Sequence, residues 1–440
     1  MLTRLLLALL LLAPGLLAQE IAAKADPFVQ AFVDQHRFQG SVLLARDGKP
    51  LFRKSYGLAN AEWDNANTPD TKFRLGSITK QFTSALVMQL VEQGKIKLDD
   101  SIRKYYTEAP EAWQPVTIHH LLSHQSGIPS YTELPGFFDK QAGTARTPAE
   151  IIRLTQDKAL EFAPGSKYKY DNTGYILLGY VIEKVTGRRY EEQLRKAILE
   201  PLAMNDTGFD HYTAILRHRA DGYEYVDGKL RRAPFLEMSL PYAAGSLYST
   251  VDDLLKWDQA LYGTTVLNAA SKEKMWTPNR SDYGYGWAIA KRYGERSLEH
   301  GGGINGFNTM LIRMPEKKLL AVVLANAETP ATGPIAAGLL GLALGQAVEP
   351  PKPRKRISLR PDEMKGFEGV YALNPNFKLT IKVEGDHLST QATGQGAIRT
   401  DPMSPTRFFN DGINAEIEFE KDGSALTLYQ NGAVLKFKRE

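Results

Sequence analysis

"RLGSITKQFTSALVMQLVEQG", Arg74 to Gly94, decides the reading of this chain. Ile78, Phe82, Ala85, Leu86 and Leu90 recur at helical spacing and Gly94 supplies a C-terminal stop, which predicts an amphipathic helix. Ser77 and Lys80, three residues apart at its start, then share one face and come within hydrogen-bond reach. A serine can lose its proton to a lysine that is neutral, a state favoured by burial and by a nearby cation. The helix dipole at this end favours developing negative charge. The same spacing also describes an ordinary polar first turn, so the pair needs partners elsewhere in the chain.

Two further stretches supply candidates. In "PGSKYKYDNTGYILLGYVIEKVTG" (164–187), Tyr170 and Asn172 precede a helix expected to start near Gly174, and both can project from a turn toward a shared cleft. Tyr168 would share the face of Tyr170 in an extended stretch, but only Tyr170 has an asparagine two residues on. In "LEHGGGINGF" (298–307), His300 enters a run of three glycines expected on a strand. Without side chains there, a ligand can approach the backbone and its amides can donate to an oxyanion. His124 in "LLSHQSG" reads as a loop histidine at a helix end. His119, His120, His211 and His218 lack the spaced partners of a metal site, so neither metal nor cofactor is expected.

A length of 440 residues, 43% apolar and 24% charged, suits one large catalytic domain with a smaller partner rather than a disordered chain. The net charge is only +4, and Lys352, Arg354, Lys355, Arg356 and Arg360 carry much of it in one cluster. That argues against a nucleic-acid partner and for a solvated basic linker. At the N-terminus, "MLTRLLLALLLLAPGLLAQE" places Arg4 before an apolar run from Leu5 to Leu17, which ends in Ala18. The run is shorter than the roughly 20 residues of a membrane span. It reads as a signal peptide, residues 1–18, cut after Ala18. The chain has no cysteine, which excludes a lipid-modified N-terminus and disulfides. The mature protein is expected in the periplasm or outside the cell, without a membrane span, folded on core packing alone.

"FQGSVLLARDGKPLFRKSYGLAN" (38–60) predicts a β-hairpin across Asp47-Gly48. A helix-rich region follows from about Leu98 to about Tyr212, and Ser249 or Thr250 can cap a helix beginning near Val251. Residues 283–328 hold at least three strand-like runs with turns at Tyr293-Gly294 and Pro315-Glu316, and 333–348 reads as a closing helix. Strands at both ends of the domain around a helical middle predict an α+β fold. Residues 349–363, rich in proline and charge, read as a linker. Short alternating stretches broken by Gly-Asp, Asp-Gly and Asn-Gly turns in 364–440 predict a small antiparallel sheet or barrel.

Ser77-Ile78-Thr79-Lys80, Tyr170-Asp171-Asn172 and His300-Gly301-Gly302 occur in that order. On these motifs the chain resembles the serine β-lactamase and penicillin-binding protein superfamily, in its class C-like branch of esterases, D-amino-acid peptidases and β-lactamases. "IHHLLSHQSGIPSY", "LLGYVIEKVTG", "PLAMNDTGF" and "AAGSLYSTVDDLLKW" resemble the family too, and the likeness covers residues 28–348. It implies an antiparallel sheet flanked by helices with a helical subdomain. It further implies Ser77 as acylating nucleophile, Lys80 as acceptor of its proton, and Tyr170 as second proton carrier with a phenolate stabilised by Lys80. Asn172 would orient the substrate, with His300 and Gly302 lining the cleft. The backbone amides of Ser77 and Gly303 would form the oxyanion hole. The C-terminal region resembles a lipocalin-like domain attached to such hydrolases, where it would cap the cleft, mediate self-association into a homo-oligomer, or stabilise the chain.

The resemblance leads to a secreted serine hydrolase that cleaves esters or D-amino-acid amides and peptides, a small-molecule or short-peptide substrate. A β-lactamase or D-Ala-D-Ala carboxypeptidase is the alternative within the family. A penicillin- or wall-fragment-binding sensor without useful turnover is the alternative outside enzymes. Many relatives carry lysine where His300 stands, and histidine is mostly neutral above pH of about 6.5. Substrates without a carboxylate are therefore favoured.

Overall fold

A computed structural model describes residues 14–226, 229–351, 354–375, 377–393, 395–410, 415–430 and 433–440. Helix α1 (Pro14–Asp34) leads into β1 (Gly40–Arg46) and β2 (Lys49–Tyr56), which pair as the hairpin expected across Asp47-Gly48. Both turn residues have positive φ, 49° and 73°, the backbone geometry that matches a two-residue turn to the strand twist. Helix α2 (Thr79–Glu92) follows a single tight turn at Gly76–Ile78. In the helical middle, α3 (Pro148–Gln156) and α4 (Asn172–Thr186) are the longest elements. Helix α5 (Val251–Ala260) is capped by Thr250, whose hydroxyl accepts from the Asp253 N–H. Strands β3 (Ala288–Arg292), β4 (Glu295–Ile304), β5 (Phe307–Met314) and β6 (Leu319–Ala325) come next, then α6 (Thr332–Ala343). The closing helix stops before Val348, because Gly345 adopts a left-handed φ of 75°.

Six strands form one antiparallel sheet in the order β3-β4-β5-β6-β1-β2. Every residue of β6 is buried, so this strand has no solvent face. Side chains alternate between two cores, as the period of two in a strand requires. Val42, Leu44, Ala321 and Val323 pack with Phe28 and Phe32 of α1 and with Ile335 and Leu339 of α6. Leu43, Ala45, Leu320 and Val322 pack on the other side with Phe82, Leu86 and Trp257. Each large apolar side chain buried this way contributes about 1.5–3 kcal/mol, and both layers of helices are needed to cover the sheet. The first residues of the leader lie outside the described residues; Ala18 lies within α1, whose Ile21, Ala25 and Phe28 are anchored in the core. Among the described residues, no helix is long and apolar enough to cross a membrane.

The chain divides into two compact units that meet between Glu349 and Pro350. The second is a closed antiparallel barrel of β7 (Gly369–Asn374), β8 (Phe377–Glu384), β9 (His387–Ala392), β10 (Ala397–Pro402), β11 (Arg407–Asn410), β12 (Ala415–Phe419), β13 (Ala425–Gln430) and β14 (Ala433–Arg439). Pairing of Tyr371 with Arg439 joins β7 to β14 and closes it. Gly385-Asp386 and Asp422-Gly423 lie in the β8–β9 and β12–β13 connections, while Asp411-Gly412 and Asn431-Gly432 lie outside the described residues. Tyr371, Ile381, Leu388, Phe408, Ile417 and Phe437 fill the interior, as side chains do in barrels of this size.

The segment read as a solvated basic linker is only partly that. Arg354 Nε donates to Glu416 at 2.9 Å, Arg356 pairs with Asp386 and with Asp401, and the Ile357 N–H donates to Pro402 O at 2.9 Å. A turn of helix at Pro361–Met364 then buries Met364 completely. The carboxylates that the barrel presents pull Arg354 and Arg356 onto its wall. A fragment of residues 354–440 is therefore expected to melt higher than one of residues 364–440, by at least about 4–8 °C if the lost contacts are worth 1 kcal/mol. Circular dichroism melts of the two fragments check this, and equal melting would show that 354–363 adds nothing to the barrel.

Candidate active site

Gly76 has a left-handed φ of 55°, and a Cβ there would stand 3.0 Å from the Gly303 backbone nitrogen. Glycine thus lets the chain turn into α2 hard against β4, which sets Ser77 beside the glycine strand. Lys80, in the first turn of α2, is fully buried. Its Nζ donates to Ser77 Oγ at 3.0 Å, to Asn172 Oδ1 at 2.9 Å and to the Ala244 carbonyl at 2.9 Å. None of these three acceptors is charged. Burial pushes the Lys80 pKa down to about 7, against the opposing pull of the Asp171 carboxylate. Near neutral pH a large share of Lys80 is then the free amine, which can accept the Ser77 proton.

The second motif enters from the start of α4. Asp171 is the N-cap: its Oδ2 accepts from the Gly174 N–H at 3.0 Å and from Ser126 Oγ at 3.1 Å. The cap starts the helix at Asn172, two residues earlier than the sequence suggested. Burial pushes the Asp171 pKa up to about 7, while the hydrogen bond from Ser126 works the other way. Asn172 directs Oδ1 to Lys80 and donates from Nδ2 to Thr132 Oγ1 at 3.0 Å. Its amide is thus committed first to holding Lys80, although the side chain also faces the cleft.

Tyr170 is half-buried against this group, with its hydroxyl out of solvent and Lys80 Nζ 4.8 Å from the centre of its ring. Its hydroxyl makes no hydrogen bond of ordinary geometry. Burial pushes the phenol well above its usual range, and the nearby Ser77 hydroxyl only opposes that. The expectation of a phenolate resting on Lys80 is therefore corrected. The ammonium faces the ring rather than the oxygen, so Tyr170 rests as a neutral phenol.

His300 on β4 receives the hydroxyl of Tyr283, with Nε2 and Oη 2.8 Å apart, and its Nδ1 lies 2.6 Å from the Gly301 carbonyl. A carbonyl only accepts, so the ring proton sits on Nδ1 and Nε2 accepts the hydrogen bond that the Tyr283 hydroxyl donates. Burial first, and the Lys80 charge second, lower the His300 pKa to about 4, which leaves the ring neutral at pH 7. Gly303 is exposed on the cleft wall next to Ser77. Gly302 is not a cleft residue, contrary to expectation. It is buried, and a Cβ there would meet the Leu75 carbonyl at 1.9 Å, so its part is to let β4 approach the loop before Ser77.

His124 is the main residue whose part the sequence hid. Its place after a helix ending at Leu122 is as expected, but its ring is buried 4.2 Å from that of Tyr170. Its Nδ1 accepts the Asp171 N–H at 3.1 Å. Burial, the Lys80 charge and His300 hold it well below the usual histidine range, hence neutral. Together with Ser126, it makes "LLSHQSG" a clamp on the Tyr170–Asn172 turn. Of the other histidines, His119 Nδ1 lies 2.7 Å from Tyr285 Oη, and His120 completes a cap at Thr117. Among the described residues, no group of three or more His, Cys, Asp and Glu side chains could hold a metal ion.

Ser77 stands between two recesses. One is a cavity of about 430 Å³ walled by Tyr131, Phe137, Leu236, Leu240 and Phe307, with Asn172 and Glu328 as polar members. The other holds Tyr168, Tyr170, Tyr283, His300 and Glu299. Neither wall includes an arginine or a lysine among the described residues.

Comparison with known proteins agrees with this geometry. Residues 25–345 match the family described as Beta-lactamase. The chain is 29% identical over 431 residues to penicillin-binding protein 4* of Bacillus subtilis (strain 168), covering 91% of this chain and 94% of that protein. The octameric penicillin-binding protein homologue from Pyrococcus abyssi is 31% identical, with a TM-score of 0.68 over 94% of this chain and 99% of the other. A D-stereospecific amidohydrolase from Streptomyces sp. is 27% identical, with a TM-score of 0.63 over 74% of this chain and 99% of the other. With Ser77 on a buried Lys80 in that fold, and a match over most of its length, the chain belongs to the beta-lactamase family.

Proposed function

We propose that this protein is a secreted serine hydrolase that cleaves esters or D-amino-acid amides and short peptides through an acyl-enzyme on Ser77. The observation that carries this reading is Lys80 Nζ, fully buried, 3.0 Å from Ser77 Oγ and with its pKa near 7. In the acylation step, free-amine Lys80 takes the Ser77 proton as Oγ attacks the substrate carbonyl. The backbone N–H groups of Ser77 and Gly303 hold the oxyanion, each such donor typically worth about 3 kcal/mol. The tetrahedral adduct collapses as the leaving nitrogen or oxygen receives the Tyr170 proton; Tyr170 regains a proton from the water that attacks in the second step, and Lys80 then returns its own to Ser77. Water then hydrolyses the acyl-Ser77 ester and restores the hydroxyl.

The substrate side of the proposal rests on charge. His300 is neutral, and among the described residues neither recess wall includes an arginine or a lysine to meet a substrate carboxylate. That disfavours penicillins, cephalosporins and D-Ala-D-Ala peptides relative to simple esters and amides. The Streptomyces relative, named a D-stereospecific amidohydrolase, points the same way. Export is supported by Arg4, the apolar run behind it and the absence of cysteine. Mass spectrometry of the mature protein is expected to find Gln19 at its N-terminus; retention of Met1 would remove export by cleavage.

A side-by-side assay on a p-nitrophenyl ester, a D-amino-acid amide and a cephalosporin is expected to give the highest kcat/KM on one of the first two. A parent that prefers the cephalosporin overturns the substrate reading. Ser77→Ala is expected to lose fluorophosphonate labelling and to lower kcat at least about a thousandfold, at a stability cost of about 1 kcal/mol. Labelling of the parent without turnover would point to a sensor instead.

The acid limb of kcat/KM should fall near pH 7, since the free amine of Lys80 is the active form. Asp171 raises the Lys80 pKa, so Asp171→Asn, which keeps an N-cap side chain, is expected to move that limb to lower pH. A shift to higher pH would show that Lys80 is not the titrating base.

A further inference from the structure

The cavity beside Ser77 is apolar along Phe137, Leu236, Leu240 and Phe307, and Glu328 is the one charged side chain on its wall among the described residues. Glu328 Oε1 accepts the Gly306 N–H at 3.0 Å. Gly306 has a φ of 79°, and a Cβ there would come within 2.4 Å of Gly222, so the turn between β4 and β5 that holds the carboxylate is wedged in place. No ion pair involves Glu328 among the described residues. Glu299, the carboxylate of the other recess, differs: Arg292 donates to it from Nε at 2.7 Å and from Nη2 at 3.2 Å. Asn305, also on the cavity wall, ties its Nδ2 to the Pro234 carbonyl at 3.0 Å, which leaves Oδ1 as an acceptor. The cavity therefore presents one unneutralised carboxylate and a spare amide oxygen above an apolar floor.

We propose that Glu328 is the subsite for a protonated amino group of the substrate, so that the preferred acyl donors are amides or esters of amino acids with a free amine and an apolar side chain. The reading rests on Ser77 being the acylating nucleophile. With the carbonyl at Ser77, the ammonium meets Glu328 and the apolar side chain meets the wall of Phe137, Leu236 and Leu240. An N-acylated substrate loses the charge pair, and one carrying a carboxylate into the cavity meets repulsion.

The test compares kcat/KM on D-phenylalanine amide, its N-acetyl form and its N-succinyl form for the parent, Glu328→Gln and Glu328→Lys. The parent is expected to prefer the free amine. Glu328→Gln, which keeps the acceptor for Gly306, is expected to lower the ratio of free amine to N-acetyl form about fivefold or more. Glu328→Lys is expected to favour the N-succinyl form. The parent's preference should fade above pH of about 8, where the substrate amine loses its proton. Turnover of both amides with a ratio unmoved by Glu328→Gln overturns the subsite while leaving the hydrolase reading in place. Turnover of neither amide overturns amide hydrolysis, and calorimetry with Ser77→Ala then decides the subsite alone: binding of D-phenylalanine amide that is lost on adding Glu328→Gln supports it. No binding, or binding that survives the second substitution, overturns it.

Discussion

An amine sits at the centre of the hydrolase unit with no charged group in hydrogen-bond contact, and the arrangement around it follows from that. Lys80 reaches Ser77, Asn172 and the Ala244 carbonyl, all neutral. A buried ammonium without a direct counterion costs several kcal/mol, so the site relieves itself by releasing the proton. The residue order Tyr170-Asp171-Asn172 serves this end. Asp171 directs its carboxylate back to Gly174 and Ser126, and Asn172 directs a neutral oxygen to the lysine. An aspartate at 172 would put a charge in contact with Lys80 and hold the proton there.

Tyr170 and His300 obey the same constraint. The Tyr170 hydroxyl and the His300 ring are both out of solvent, and each group is kept in its neutral form. A site of neutral groups around one reluctant cation has little electrostatic energy to lose at rest. The charge appears with the reaction itself, when Ser77 gives up its proton and the oxyanion forms beside the backbone amides.

The parts of this arrangement that were legible in the sequence are those that depend on local periodicity. The α2 spacing set Ser77 and Lys80 on one face; the Asp47-Gly48 turn set the first hairpin; alternation in 364–440 foretold strands, and closure into a barrel was one of two forms it allowed. What local pattern cannot carry is which side chain meets another across the fold. His124 looked like an ordinary loop residue because the partner that defines it, the Asp171 N–H, lies 47 positions away. Gly302 was read with its neighbours as part of the cleft, whereas only packing against Leu75 reveals it as a spacer. The phenolate expected at Tyr170 failed for a related reason, since the motif fixes that a lysine is near but not that it faces the ring. Arg354 and Arg356 were misjudged as solvated because the carboxylates that bind them belong to a strand and a turn 30 or more residues further on.

The apolar recess beside Ser77 is built largely from different material than the reacting groups. Ser77, Lys80, Asn172 and His300 stand on helix starts and a central strand, whose positions the two cores fix. Much of the wall of the apolar cavity comes instead from Tyr131, Phe137, Leu236, Leu240 and Asn305, in segments outside the sheet and the long helices, with Phe307 at the start of β5 completing it. Reactivity and selectivity are thereby largely separated in the fold. Substitutions in those segments can recut the shape and polarity of the cavity while the proton-transfer geometry stays anchored, and that is the condition under which one scaffold can diversify across acyl donors by changes confined to its rim.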